Sequence, residues 1–229
     1  MTGAAAHLFD LDGTLVDSDA KHMAAFQRAF APYGLVLDQT AYIKSIHGAS
    51  NELIGKIFLS HLPLERRRAI LEEKEAVYRA DLGDVEPIAG VVALLDFADR
   101  RGLRRAVVTN APHANAEAVL AALGFEERLP VVVIGSELSR AKPDPLPYLR
   151  ALELTGSVGS RSVAFEDSEP GIRAAAAAGL AVVGLTTSLD EAALIQAGAS
   201  FAVSNFTDPR ILALIERRIG ARAEEGTHV

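Results

Sequence analysis

Asp10 and Asp12 stand one residue apart where the apolar run Ala4 to Phe9 gives way to Gly13. If that run is a strand, both carboxylates emerge at its carboxyl end on one side, because side chains alternate with a period of two. Two acids so placed repel each other and must be hydrated, hydrogen-bonded or bound to a cation, and a divalent cation is the economical answer. Three more polar groups follow apolar runs in the same way: Thr109 with Asn110, Lys142 with Pro143, and Glu166 with Asp167. In an open parallel sheet ligands bind beyond the carboxyl ends of the strands, so the four groups should converge. Carboxylates suit a hard cation. A hydroxyl, an ammonium and the amino terminus of a helix after Thr109 suit phosphate oxygens. The chemistry these types imply is phosphoryl transfer on a phosphate held by Mg²⁺.

Each group also has a blander reading. Asp12-Gly13 is a turn dipeptide, Thr109 a helix cap, Lys142-Pro143 a surface loop, and Glu166-Asp167 acids at a helix start. It is their recurrence at successive strand ends that favours a site. Asp17 and Asp19 are assigned to hinge and capping duties, and Asp144 to a helix cap.

The elements that must position these residues follow from periodicity. Strands are predicted at Ala4 to Phe9, Arg105 to Thr109, Val131 to Ile134, Ser162 to Phe165, Ala181 to Leu185 and Phe201 to Val203. Helices are predicted over Val91 to Arg101, His113 to Leu123, Asp144 to Leu154, Glu169 to Ala178, Asp190 to Ala197 and Asp208 to Arg218. That alternation indicates a Rossmann-like α/β fold, a parallel sheet covered by helices on both faces. Between Asp17 and Pro87 there is no convincing strand. Helices over Ala20 to Tyr33, Gln39 to Ile46, Ser50 to His61 and Leu64 to Leu82 suggest an all-helical insert, with Ser50 as a helix start. The expected organisation is a core of residues 1–16 and 87–229 with a cap of residues 17–86. The small, polar tail Gly220 to Val229 is expected to fray.

Composition narrows the function classes. A chain of 229 residues can bury a full core, and 49% hydrophobic with 23% charged residues is ordinary for a globular protein. A formal net charge of -7 with no long Lys/Arg cluster lacks the footprint of a nucleic-acid binder. Zero cysteines exclude disulfides and thiolate chemistry. No apolar run reaches membrane-spanning length, and no basic region with a long apolar stretch opens the chain. A cytoplasmic monomer acting on a small-molecule phosphate ester, with neither nucleic acid nor membrane as partner, is the expectation.

Four motifs appear in order: Asp10-Leu11-Asp12-Gly13-Thr14, Thr109-Asn110, Lys142-Pro143-Asp144-Pro145, and Phe165-Glu166-Asp167-Ser168 with Gly171. Over nearly its whole length the chain resembles the haloacid dehalogenase superfamily, in the phosphatase and phosphomutase branch with a helical cap that holds β-phosphoglucomutase-like and phosphoglycolate phosphatase-like members. The resemblance implies that Asp10 attacks phosphorus to form an aspartyl-phosphate and also binds Mg²⁺. Asp12 would be the general acid and base and would ligate the metal through its main-chain carbonyl. Thr109 and Asn110 would hold phosphoryl oxygens, and Lys142 would neutralise Asp10 and the transferring group. Asp167 would complete the metal site, with Glu166 a ligand directly or through water.

The cap should set substrate choice. By the same resemblance, His22 falls near the acid/base aspartate, Lys74 aligns with a cap lysine, and Ile46 to Glu52, with His47 and Asn51, matches a substrate-specificity loop. The plain alternative for His22, His47 and Lys74 is an exposed position on a cap helix. Asn51 departs from the mutase pattern, which has an arginine there that grips a second phosphate. Water therefore becomes the expected acceptor. Further stretches resemble plant broad-range sugar-phosphate phosphatases: Glu73-Lys74-Glu75-Ala76 with Tyr78, Arg101 to Ala106 leading into Val108-Thr109-Asn110-Ala111-Pro112, Ile134 to Glu137, and Val183 to Thr187. The expected activity is Mg²⁺-dependent hydrolysis of sugar or polyol phosphates. A phosphomutase of the β-phosphoglucomutase kind is the alternative favoured by His22 and Lys74, and a catalytically silent binding protein is a second. A dehalogenase has no need of Asp12.

Overall fold

The computed structural model describes residues 3–83 and 85–220, so the tail expected to fray lies, from residue 221 onward, outside the described residues. The apolar runs form β1 (Ala6–Phe9), β2 (Arg104–Thr109), β3 (Val132–Ile134), β4 (Val163–Glu166), β5 (Ala181–Leu185) and β6 (Phe201–Val203). They pair, all parallel, in the order β3-β2-β1-β4-β5-β6. β1 lies in the middle, with β2 on one side and β4 on the other. The chain order reverses there, which opens a crevice at the carboxyl ends of those strands.

Both faces of the sheet are buried, as parallel strands require. Leu8, Ala106, Val108, Ala164 and Val182 pack under α7 (Leu146–Thr155), α8 (Glu169–Ala177) and α9 (Glu191–Ala197). Their neighbours along each strand, Phe9, Val107, Val163, Phe165 and Val183, pack under α5 (Val91–Arg101), α6 (His113–Leu123) and α10 (Pro209–Gly220). His7 is the exception in this apolar layer. Its ring meets Phe9 and Phe165 edge-on, and among the described residues neither ring nitrogen has a hydrogen-bond partner. Burial, helped by Arg105, pushes its pKa down to about 3.

Between β1 and α5 the described residues are helical: α1 (Asp19–Phe30), α2 (Gln39–Ser45), α3 (Asn51–Phe58) and α4 (Leu64–Ala80). Phe26, Phe30, Tyr42, Ile46, Ile54, Leu59, Ile70 and Leu71 give these helices an apolar cluster of their own. The chain leaves and returns at one place, where Val16 bridges Pro87 and the Ile88 N–H donates to the Leu15 carbonyl at 2.9 Å.

Several boundaries differ from expectation for local reasons. The long first helix gives way at Ala31–Tyr33 to a 3₁₀ turn, because Pro32 has no N–H to continue the α ladder. α7 starts at Leu146 rather than Asp144: prolines 143 and 145 flank Asp144, whose carboxylate accepts from the Leu146 N–H at 2.9 Å. Ala4 makes only an isolated bridge to Ser157, so β1 begins at Ala6. Ser50 does cap α3, accepting from the Leu53 N–H at 3.4 Å. Among the described residues no helix is long and apolar enough to cross a membrane.

Candidate active site

Asp10 follows the last residue of β1, Asn110 follows β2, Glu166 is the last residue of β4 and Asp167 follows it. These ends are adjacent in the sheet, so residues far apart in sequence meet. The ammonium of Lys142, from the loop after β3, lies 2.6 Å from Asp10 Oδ1 and 2.5 Å from Glu166 Oε1. Glu166 is further held by the Tyr148 hydroxyl at 2.7 Å and the Ser168 hydroxyl at 3.1 Å. Thr14 donates to Asp167 Oδ1 at 3.2 Å.

Two glycines make this crowding possible. Gly13 has φ +74°, a backbone conformation that costs other residues strain, and a Cβ there would strike the Asp167 carboxylate. Gly171, in the first turn of α8, is close enough to the Glu166 carboxylate that any side chain would displace it.

Asp12 faces the same cavity in different company. It lies beyond the strand, in a turn where the Leu15 N–H donates to the Leu11 carbonyl at 2.8 Å. Its Oδ1 receives the Ser18 hydroxyl at 2.6 Å, the Tyr78 hydroxyl at 3.0 Å and His22 Nε2 at 3.1 Å. The His22 ring stacks on Tyr78 at 3.7 Å between centroids, and Lys74 Nζ is 2.9 Å from its other nitrogen, Nδ1.

The surroundings push the two aspartates apart. Burial, reinforced by Glu166 and Asp167 and opposed by Lys142, holds Asp10 well above the usual carboxylate range. Burial also acts to raise Asp12, but His22, Ser18 and Tyr78 outweigh it and hold Asp12 below that range. Burial would lower Lys142, yet Asp10 and Glu166 keep it above its ordinary value, as a cation. One ammonium among Asp10, Glu166 and Asp167 leaves the cluster short of positive charge. These three each offer a carboxylate oxygen, all within 4.8 Å of one another, a hard-oxygen donor set that fits a small divalent cation.

The helical segment closes over this cluster. His47 Nε2 is 2.8 Å from Asp167 Oδ2, and although burial alone would lower it, Asp167 pushes its pKa up to about 9. The Gly48 carbonyl accepts from the Asn110 side-chain amide at 2.9 Å. The Asn110 side chain is therefore a brace: its oxygen also accepts from the Lys142 N–H at 3.2 Å. Asn51 donates to Glu75 at 2.8 Å.

Asp10, Asp12, His22, His47, Asn51, Lys74, Thr109, Asn110, Lys142 and Asp167 all line one cavity, while Glu166 lies behind its wall with no exposed surface. The cavity encloses about 80 Å³. That is below the roughly 300–1,000 Å³ of pockets that hold drug-sized ligands. In this closed arrangement it suits a phosphoryl group better than a whole sugar phosphate. His22, His47 and Lys74 are buried, not exposed cap-helix side chains.

Some participants were not foreseen. Asp19, assigned to hinge and capping, lines the cavity, accepts from Tyr42 at 2.9 Å and stands 3.8 Å from His47. Ser18, Tyr148 and Asn115 carry no motif signal. Tyr78 had one, because it lies one helical turn from Lys74 and so shares its face.

A family model for haloacid dehalogenase-like hydrolases matches residues 5–179. Validoxylamine A 7'-phosphate phosphatase of Streptomyces hygroscopicus subsp. limoneus is 33% identical, over 83% of this chain and 89% of its own. Fructose-1-phosphate phosphatase of Escherichia coli is 34% identical, over 77% of this chain and 93% of its own. The solved structure of a variant of CbbY from Rhodobacter sphaeroides with xylulose-(1,5)bisphosphate is similar at a TM-score of 0.79 and 29% identity, covering 90% of this chain and 96% of that one.

Proposed function

Because the chain belongs to the haloacid dehalogenase-like hydrolases, we propose that it is a Mg²⁺-dependent phosphatase of sugar or polyol monophosphates working through an aspartyl-phosphate on Asp10. In this reading residues 1–16 and 87–229 are the catalytic core and 17–86 the cap.

The observation that carries the reading is the contrast between the two aspartates. Enzymes assign roles to a pair of acids by giving them unlike surroundings. Asp10 sits with Lys142 and two more carboxylates; Asp12 sits with three donors. Asp10, Glu166 and Asp167 would hold Mg²⁺, with the Asp12 main-chain carbonyl as the fourth protein ligand. Bound there, the ion would supply the positive charge that lets an anionic carboxylate and an anionic phosphate approach each other.

Asp10 must first shed to solvent the proton that its acidic neighbours favour, a loss the bound cation would promote; its Oδ then attacks phosphorus while the P–O bond to the leaving group breaks. Lys142 screens the approach and stays paired with the transferring group. Thr109 and the N–H groups beyond β2 hold the phosphoryl oxygens. The departing alkoxide takes its proton from Asp12, which its three donors otherwise keep ionised and which gains that proton from solvent when the phosphate's negative charge enters the cavity and raises its proton affinity. Asp12, now ionised and steadied by Ser18, Tyr78 and His22, then removes a proton from the water that cleaves the aspartyl-phosphate. Such acid–base assistance contributes about 10²- to 10⁴-fold. The His47–Asp167 and Gly48–Asn110 contacts hold the cap shut during these steps, and admitting a sugar phosphate requires them to part.

The test is phosphate release from a panel of sugar and polyol phosphates with and without EDTA, alongside D10N. Turnover should require the metal and be abolished in D10N. Metal-independent release, or a D10N variant as active as the parent, overturns the reading.

A further inference from the structure

Glu75 takes no part in the steps above, yet its carboxylate lines the same cavity and the residue is only 2% exposed. A buried anion persists only when donors surround it. Here Asn51 donates to Oε1 at 2.8 Å, while Lys74 at 3.0 Å and Asn115 at 2.6 Å donate to Oε2. Asn115 is itself oriented by Arg79 at 2.8 Å. Helices α3, α4 and α6 therefore converge to keep one carboxylate ionised in the cavity wall. Burial acts to raise Glu75, but Lys74, His22 and Asn51 outweigh it.

The consequence lies in the charge balance. Among the described residues Lys74 and Lys142 are the lysines of the cavity lining, no arginine lines it, and His47, which Asp167 holds toward its charged form, is engaged by that carboxylate at 2.8 Å. Lys142 is engaged by Asp10 and Glu166. Lys74 is engaged by Glu75 and His22, with its ammonium 4.0 Å from the centre of the Phe26 ring. The wall formed by α1, α3 and α4 thus presents hydrogen-bonding groups but no uncompensated cation. A hydroxyl can donate to a free lone pair of Glu75 or of Asn51 Oδ1. A second phosphate, or a carboxylate, would lie beside a buried anion with nothing to neutralise it.

Resting on the phosphatase reading, we propose that Glu75 determines specificity by like-charge exclusion, restricting the site to esters whose leaving group is neutral and hydroxyl-bearing. Bisphosphates and phosphorylated carboxylic acids are rejected because Glu75 both repels them and consumes the charge of Lys74.

The experiment compares kcat/KM within matched pairs: glucose 6-phosphate with glucose 1,6-bisphosphate, fructose 1-phosphate with fructose 1,6-bisphosphate, and 2-hydroxyethyl phosphate with phosphoglycolate. The parent enzyme should favour the member with a single anionic group by at least tenfold. E75Q keeps the shape, removes the charge and releases Lys74, so the preference should shrink at least tenfold, mainly through KM for the second anion. N51R replaces the Asn51 donor to Glu75 by a guanidinium, which can still donate to that carboxylate while bringing a cation to the same wall, and should shift the ratio the same way, which decides the matter if E75Q does not fold. A general loosening of the site would lower both members alike, leave the ratio in place and overturn the proposal. So would a parent enzyme that uses both members within threefold. Absence of metal-dependent turnover on every ester is a different result, because it removes the phosphatase reading itself.

Discussion

Replacing Lys142 by methionine, K142M, keeps most of the side-chain volume and deletes the ammonium that binds Asp10 at 2.6 Å and Glu166 at 2.5 Å. Breaking a buried ion pair by removing one partner costs about 3–5 kcal/mol when the other charge is stranded. The loss here should fall toward the lower end, since burial and its acidic neighbours already dispose Asp10 to take up a proton. The catalytic cost is separate. An ammonium about 4 Å from a unit of charge developing on the phosphoryl group contributes roughly 4 kcal/mol at an effective dielectric of about 20. That corresponds to a fall in kcat of about 10³-fold. Metal affinity should move the opposite way, because deleting a positive charge beside Asp10, Glu166 and Asp167 removes repulsion toward a divalent cation. The assay is phosphate release titrated with Mg²⁺, with folding checked by thermal melting. A folded K142M enzyme within tenfold of the parent kcat refutes the assigned role. Equal losses of metal affinity and kcat would instead show a site that had simply collapsed.

Two further predictions concern other layers of the molecule. S18A and Y78F each remove one charge-assisted hydrogen bond from Asp12 Oδ1, worth about 1.5–3 kcal/mol, so each should lower kcat by roughly 10- to 100-fold with KM little changed in steady-state assays. H7L bears on acid stability: the buried ring stays neutral down to about pH 3, whereas in the unfolded chain it charges below about 6.5. The unfolded state therefore binds the extra proton in that window, and stability drains away as pH falls from 6.5 toward 3, by up to about 1.4 kcal/mol per pH unit. H7L should flatten that slope in urea melts at pH 7, 5.5 and 4, and an unchanged slope would contradict it.

The sequence alone was enough to bring the candidate site residues to strand ends. Short continuous apolar runs leading to Asp10, Thr109 and Glu166, alternating with helical periods, specify a parallel sheet and hence a common edge for those residues. The four ordered motifs specify a family, and the lack of strand pattern between Asp17 and Pro87 specifies a helical insert. These signals are legible because they are local, carried by periodicity and by neighbours a few residues apart.

What the sequence could not supply was the company each side chain keeps. Asp12 meets Tyr78 from the far end of α4, Glu75 of α4 meets Asn115 of α6, and Tyr148 reaches Glu166 from α7. Asp19 looked like a helix-start acid and became part of the cavity wall. Asn51 looked like a vacant clamp and proved to be a donor to a buried carboxylate. Hydrogen bonds and buried charges depend on distances of a few ångströms between segments joined by dozens of residues, and only the packing of helices α1 to α4 over the strand ends sets those distances. The element types were therefore decided by the chain's own pattern, and the state of each ionisable group by the tertiary fold.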